Sequence, residues 1–461
     1  MMRFRFSYLV ISALFLTVLA GNALADRYVV LYKQHALPQN VAASVDAAGG
    51  ELIARFDNLG IVIAHSDNEH FASQMTSDNR VRSVGFEPAT ALPDHQSEVA
   101  PQSGPTPADD LFNDGLLWGI ERVHAPAAWD AGVTGSHDTT VAVIDTGIAW
   151  NHPDLGPNVT HVACYTSAGA HEGPWVAGAP CNPYPSQSDH GTHVAGTVAA
   201  AFGGGRVVGV GPNLALASYN TFEFIPGCGL CAFTSSRWLA MLDAAERGYQ
   251  VINMSLGSLG AYGQGKGTDG LATFVAADNR VANAVVSAGT TIVAAAGNAG
   301  VDLNGTLINL PGGLPGIVNV GASGIQPNPR YETGVSYDVR AFYSNFGAAI
   351  DVAAPGGDCG QIGVCDNDRP VDWFEYLVLS TIVAPGEVCA QTASCPLGYG
   401  WKAGTSMASP HAAGVVGLIR DQNPGLSARQ AANRLSRDAD RIHGNRQEFG
   451  HGIVDARSAI D

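Results

Sequence analysis

Hydrophobic and polar positions divide this 461-residue chain into unlike stretches. Tyr8 to Leu19 is apolar except for Ser12 and Thr17; Arg3 and Arg5 precede it, and Ala23-Leu24-Ala25 follows. A basic start, a short apolar core and a small-x-small close predict an export signal over residues 1–25. The core is shorter than the ~20 apolar residues of a membrane-spanning helix, and no later stretch is long and apolar enough to span a bilayer. Residues 26–92 read as a small α+β unit. Within it Tyr28–Tyr32, Leu59–Ala64 and Arg80–Phe86 have the pattern of strands, and Val41–Ala48 that of a helix closed by Gly49-Gly50. Residues 93–115, rich in Pro, Ser, Asp and Gly, read as an exposed and easily cut linker.

From Leu116 to Asp461 short apolar runs alternate with helical ones. Thr140–Ile144 is a β-branched run that stops at an acidic turn. Helices are predicted over Ser236–Arg247 and Arg280–Ala288, each ending at a glycine and leading into a strand, Gln250–Met254 and Thr290–Ala296. A further helix runs from Ser406 to Arg420 and is ended by Asn423-Pro424, and Ser427 caps another. There is no internal repeat. This alternation predicts an α/β fold: three layers, with a doubly wound, mostly parallel sheet covered on both faces. Ligands of such sheets sit at the carboxyl ends of the strands.

Composition supports a folded core, with 46% hydrophobic residues, but only 14% are charged against a usual ~25%. The 56 glycines, about 12% against a usual ~7%, imply many tight turns and close backbone approaches. Asp and Glu total 41 against 24 Lys and Arg, a net charge of −17. That balance argues against nucleic acid or an anionic membrane as a partner. All eight cysteines lie between Cys164 and Cys395, and an even count in an exported chain suits disulfides. Sequence neighbours suggest the pairs 164–181, 359–365 and 389–395. Cys228 and Cys231 form a CxxC without the second copy that zinc would use, which favours a structural bridge. The sequence leaves the connectivity open.

Candidate chemistry falls at strand ends and helix starts. Val141-Ala142-Val143-Ile144-Asp145-Thr146-Gly147 ends a buried strand in a carboxylate. Asp-Thr-Gly also opens aspartic proteases, but those need two carboxylates sharing a proton, and no second Asp-Thr-Gly or Asp-Ser-Gly is present. His190 and His193 open a helix three positions apart without the Glu of a zinc HExxH motif, so no metal is assigned. Gly404-Thr405-Ser406-Met407-Ala408-Ser409-Pro410 places Ser406 at a helix start and does not match the G-x-S-x-G elbow. Such a serine is an ordinary N-cap. It also sits where unpaired N–H groups and the helix dipole stabilise negative charge on a carbonyl oxygen during acyl transfer. Ala294-Ala295-Ala296-Gly297-Asn298 brings an amide donor to another strand end.

Val-Ile-Asp-Thr-Gly, His-Gly-Thr-His-Val-Ala-Gly and Gly-Thr-Ser-Met-Ala-Ser-Pro, in that order, resemble the subtilisin-like (S8) serine peptidase family from Leu116 to Asp461. Gly450 to Ala456 is similar to the family's usual ending, and no C-terminal binding domain is expected beyond it. The resemblance implies a catalytic triad of Asp145, His190 and Ser406, with Asn298 in the oxyanion hole. It implies that Ser255, Leu256 and Gly257, with Ala295, Ala296 and Gly297, flank the substrate's main chain. Their small residues suggest a roomy apolar pocket, broad specificity and a preference for apolar residues before the cut. It further implies an inhibitory propeptide over 26–92, cut within the linker, and a secreted monomer acting on proteins and peptides. Catalysis needs no cofactor. Family members often bind a structural calcium through the Asp of His-Pro-Asp-Leu and Asn residues after the His helix. Asp154 is present, but Phe202-Gly203-Gly204-Gly205-Arg206 lacks those Asn and carries a positive charge, so that site is expected to be degraded. A peptide-binding pseudoprotease would need a broken triad, whereas a peptidyl transferase would keep the same residues.

Overall fold

A computed structural model describes residues 27–92, 96–99, 108–261, 270–325, 338–358, 373–442 and 445–460. The expected export signal, residues 93–95 and 100–107 of the linker, and Cys359 and Cys365 lie outside the described residues.

The first unit is an antiparallel sheet of β1 (Arg27–Tyr32), β2 (Glu51–Phe56), β3 (Ile61–His65) and β4 (Val81–Phe86), in the order β2-β3-β1-β4. Strand alternation gives it two apolar faces. Tyr28, Val30 and Tyr32 pack with helices α1 (Val41–Ala47) and α2 (Phe71–Ser77), while Val29 and Leu31 join the core of the larger unit. β2 and α2 are absent from the predicted elements for a physical reason. β2 is a half-exposed edge strand, and α2 buries only Phe71 and Met75.

Seven parallel strands build the larger unit: β5 (Thr140–Asp145), β6 (Val159–Thr166), β7 (Ala215–Asn220), β8 (Val251–Met254), β9 (Thr291–Ala295), β10 (Ile317–Gly324) and β11 (Val352–Pro355). Their order is β6-β7-β5-β8-β9-β10-β11. β5 is buried along its whole length because both faces are covered. Val141 and Val143 pack with α3 (His190–Ala199) and α6 (Thr405–Gln422); Ala142 and Ile144 pack with α4 (Thr234–Glu246) and α5 (Gly270–Ala288). The predicted three-layer architecture is therefore present. α5 starts at Gly270 rather than Arg280 because its buried stripe of Phe274, Ala277, Val281 and Val285 continues upstream of the predicted start. Ser427 caps the next helix in a reciprocal capping box with Gln430.

The small sheet lies on α4 and α5. Phe56 sets its ring edge-on to Trp238 at 5.7 Å, and Arg280 donates to the carbonyls of Leu59 (2.7 Å) and Tyr32 (2.8 Å). Buried Glu87 accepts from Arg27 Nε (2.8 Å) and from the Ser235 N–H (2.7 Å) in the first turn of α4, where a carboxylate is favoured by the helix dipole. Strand order reverses between β5 and β8, so the end of β5, at Asp145, opens onto the crevice expected to hold ligands. The six described cysteines pair as 164–181, 228–231 and 389–395.

Candidate active site

Asp145 ends β5 and His190 starts α3, and both are fully buried. Nδ1 of His190 lies 2.8 Å from Asp145 Oδ1 and 3.0 Å from Oδ2. The Thr146 N–H donates to the same Oδ1 at 2.7 Å, and the Thr146 hydroxyl accepts the Gly191 N–H at 2.9 Å. Gly191 is required for this approach: a Cβ there would lie 2.5 Å from the Gly147 carbonyl oxygen and 3.1 Å from Asp145 Oδ1. His193 serves structure. Its Nε2 sits 3.0 Å from the Val378 carbonyl and 3.1 Å from that of Gly400, tying α3 to the hairpin Val378–Val383/Leu397–Ala403.

Ser406 lies in the first turn of α6, and Pro410 is accommodated near the same end, where a missing N–H costs little. The Ser406 hydroxyl donates to the Ser255 carbonyl at 3.0 Å, and the Ser255 hydroxyl donates to the Ser406 carbonyl at 2.7 Å. Asn253 Nδ2 donates to the Ser255 hydroxyl at 3.0 Å and its Oδ1 accepts from Ser409, so β8 and α6 are locked together beside Ser406. Asn298 Oδ1 accepts from the Thr405 N–H (2.9 Å) and the Thr405 hydroxyl (2.6 Å), which turns its NH₂ the other way. A carbon placed where a Cβ of Gly404 would stand is 3.3 Å from Asn298 Nδ2 and 3.5 Å from the Ser406 nitrogen. Two amide nitrogens thus stand about one position next to Ser406, an arrangement that can hold a developing oxyanion.

Leu256 and Ala296 are buried beside Gly257 and Gly297. Between those glycines stands Asn309, which the motif analysis did not single out. Its Nδ2 donates to the Ala295 carbonyl at 2.9 Å. A Cβ on Gly257 would lie 2.8 Å from Nδ2, and one on Gly297 2.7 Å from Oδ1. The slot between the two strand ends is therefore shortened by an amide. Its only sequence signal was a polar residue inside the apolar run Leu307-Ile308-Asn309-Leu310. Lys402 and Asp189, equally unremarked, form a 3.1 Å ion pair between the strand leading to Ser406 and the residue before His190.

Asp154 is buried, and its Oδ2 accepts the N–H groups of Arg206 and Val207, both at 3.2 Å. Oδ1 is buried without a hydrogen-bond partner, and burial pushes this carboxyl up to about 6. Arg206 forks onto Asp110 at 2.8 and 3.1 Å. Calcium needs six to eight oxygen ligands; this loop turns amide donors and a guanidinium toward its carboxylates. The residues do not fit a calcium ion there. Among the described residues no group of three or more His, Cys, Asp or Glu is placed to hold a metal, and no helix is long and apolar enough to cross a membrane.

Comparison with known proteins agrees with this geometry. Residues 136–452 match the model of the subtilase family of S8 peptidases. The chain is 30% identical to alkaline elastase YaB of Bacillus sp. (strain YaB), covering 98% of this chain and 96% of that protein. It is 29% identical to subtilisin E of Bacillus subtilis (strain 168), covering 95% and 92%. Among solved structures, the epidermin leader peptide processing serine protease of Staphylococcus aureus superposes with a TM-score of 0.70 at 21% identity, over 94% of this chain and 97% of that one, a likeness of fold. The family match over most of the chain and the similarity along nearly its whole length lead to one conclusion: the chain belongs to the subtilase family and is a serine endopeptidase that acts on protein substrates without a catalytic cofactor.

Proposed function

We propose that the protein is exported, removes its own leader, and hydrolyses peptide bonds through an acyl-enzyme on Ser406. The observation that carries this reading is the convergence of Asn298 Nδ2 and the Ser406 nitrogen on one position at Gly404, 3.3 and 3.5 Å away, and the buried Asp145–His190 pair supports it. Asp145 holds the imidazole with Nδ1 protonated, leaving Nε2 as the base. Ser406 Oγ attacks the scissile carbonyl carbon and its proton passes to Nε2. The carbonyl oxygen takes up negative charge between the two amide donors. Collapse of the tetrahedral species expels the amine, which receives the proton from Nε2, and water repeats the sequence to release the acid.

Residues 26–92 are the inhibitory propeptide and 116–461 the catalytic domain, acting as a monomer. Support comes from the path of the chain. Ala89–Ala91 adds antiparallel to Gly229–Phe233, and the Leu92 N–H donates to the Leu230 carbonyl at 3.1 Å. Gln96–Val99 adds to Leu397–Ala403, the strand that runs into Ser406. We infer that maturation cuts the chain between these two pairings, after Leu92 and before Gln96. Asn309 narrows the primary slot, and the roomy pocket expected from the wall residues becomes one that favours small side chains before the cut. Export under residues 1–25 is tested together with maturation. The secreted wild-type protein starts between Pro93 and Gln96 and takes up phenylmethylsulfonyl fluoride on Ser406, whereas the Ser406→Ala protein keeps its leader. A Ser406→Ala product of mature size, or inhibition without an adduct at Ser406, overturns the reading.

A further inference from the structure

Catalysis leaves the Cys228–Cys231 bridge unused. It ties Cys228, in the turn of a hairpin formed by Glu223–Ile225 and Gly229–Phe233, to Cys231 in the second strand. Gly227 and Gly229 in that turn have φ of 83° and 84°, the left-handed region in which glycine is least restrained. The strand that follows is paired on both sides. One edge meets Glu223–Ile225; the other meets the leader, with Cys231 opposite Ala91, Ala232 opposite Thr90 and Phe233 opposite Ala89. Cys231 is fully buried in a cluster with Ile225 and Phe233, and Ala89 and Cys228 pack onto it.

We propose that the Cys228–Cys231 disulfide is a positioning element for extended substrates. It holds Leu230–Phe233 as a ready-made edge for the residues that precede the cut, and its sulfurs help build a small apolar subsite at the place of Ala89. This rests on the reading that the leader follows the path of a substrate. Strand addition draws its affinity from main-chain hydrogen bonds, which demand an edge already in place. Without the bridge, the two turn glycines leave that edge more conformations, and their loss on binding falls on the substrate. A substrate too short to lie along Cys231–Phe233, opposite the places of Ala91 to Ala89, does not incur that loss. The effect therefore grows with substrate length.

The test uses mature enzyme, with active sites titrated, and two chromogenic peptides sharing the residue before the cut. One is a dipeptide; the other carries Ala-Thr-Ala-Leu upstream. In the Cys228→Ser/Cys231→Ser protein the ratio of kcat/KM for the long peptide to that for the short one falls about tenfold, through KM. A ratio within twofold of wild type overturns the proposal, as does an equal loss on both peptides. Should that variant fail to fold, wild-type enzyme is titrated with dithiothreitol. Two electrons open the S–S bond to two thiols while the reagent closes to its cyclic disulfide. Alkylation mapping dates each opening, and the ratio falls in step with alkylation at Cys228 and Cys231. A ratio that instead tracks Cys164 and Cys181, or stays constant, overturns the proposal. Failure to turn over either peptide by the unmodified enzyme counts against the proposed function instead.

Discussion

Asp145 Oδ1 lies 2.8 Å from Nδ1 of His190, and both side chains are buried. The carboxylate can only accept, so it selects the imidazole tautomer whose other nitrogen is a base. An amide in its place can present N–H to Nδ1 and select the opposite tautomer. Asp145→Asn, matured by added wild-type enzyme, loses about 10⁴ in kcat while KM stays within a few-fold. A loss under tenfold sinks the assignment.

Asn298 is aimed by Thr405, whose N–H and hydroxyl both bind its Oδ1. Asn298→Leu lowers kcat by about 10²–10³ with little change in KM, a size established on the corresponding donor of a subtilisin. Thr405→Val removes one tether and the acceptor of the Gly297 N–H, and costs about tenfold in kcat. If Asn298→Leu instead raises KM at constant kcat, the amide binds ground-state substrate and the oxyanion role is lost.

Asn309 fills the slot between Gly257 and Gly297. Asn309→Gly lengthens it, and kcat/KM for a peptide with Phe before the cut rises about tenfold relative to one with Ala. Steady-state kinetics on the matched pair decide the matter. An unchanged Phe-to-Ala ratio places the floor of the pocket elsewhere.

Acid stability is divided among three buried groups. Burial raises the Asp154 carboxyl to about 6, so the folded state keeps a proton that the unfolded chain releases near ~4; this contribution is lost as pH rises through 6. Burial lowers His152 and His411 to about 4, so their contribution is present above ~6.5 and is lost as pH falls toward 4. Asp154→Asn keeps an acceptor for Arg206 and Val207 and abolishes the opposing carboxyl. The variant gains on wild type as pH rises from 4 to 7, by up to about 3 kcal/mol, read as a widening Tm gap in sulfonyl-fluoride-blocked protein. A gap independent of pH refutes the buried-carboxyl account.

Amino-acid order alone was enough for the architecture and for Asp145, His190, Asn298 and Ser406 as candidates. The β-branched run Thr140–Ile144, the glycines after the helices and the motifs around each residue are local signals, because strand propensity, helix exits and close backbone approach are properties of neighbouring positions. Half-exposed β2 and short α2 were not legible, since neither carries enough apolar periodicity to stand out. Tertiary structure alone decided what depends on separate segments meeting. Asn309 reaches the slot because Leu307–Leu310 pairs with Ser258–Ala261. Arg206 and Val207 turn their N–H groups on Asp154, and the strand that carries Cys231 pairs with Ala89–Ala91. A side chain's identity is written in the chain, but its direction and its partner are set only when distant backbones are packed together.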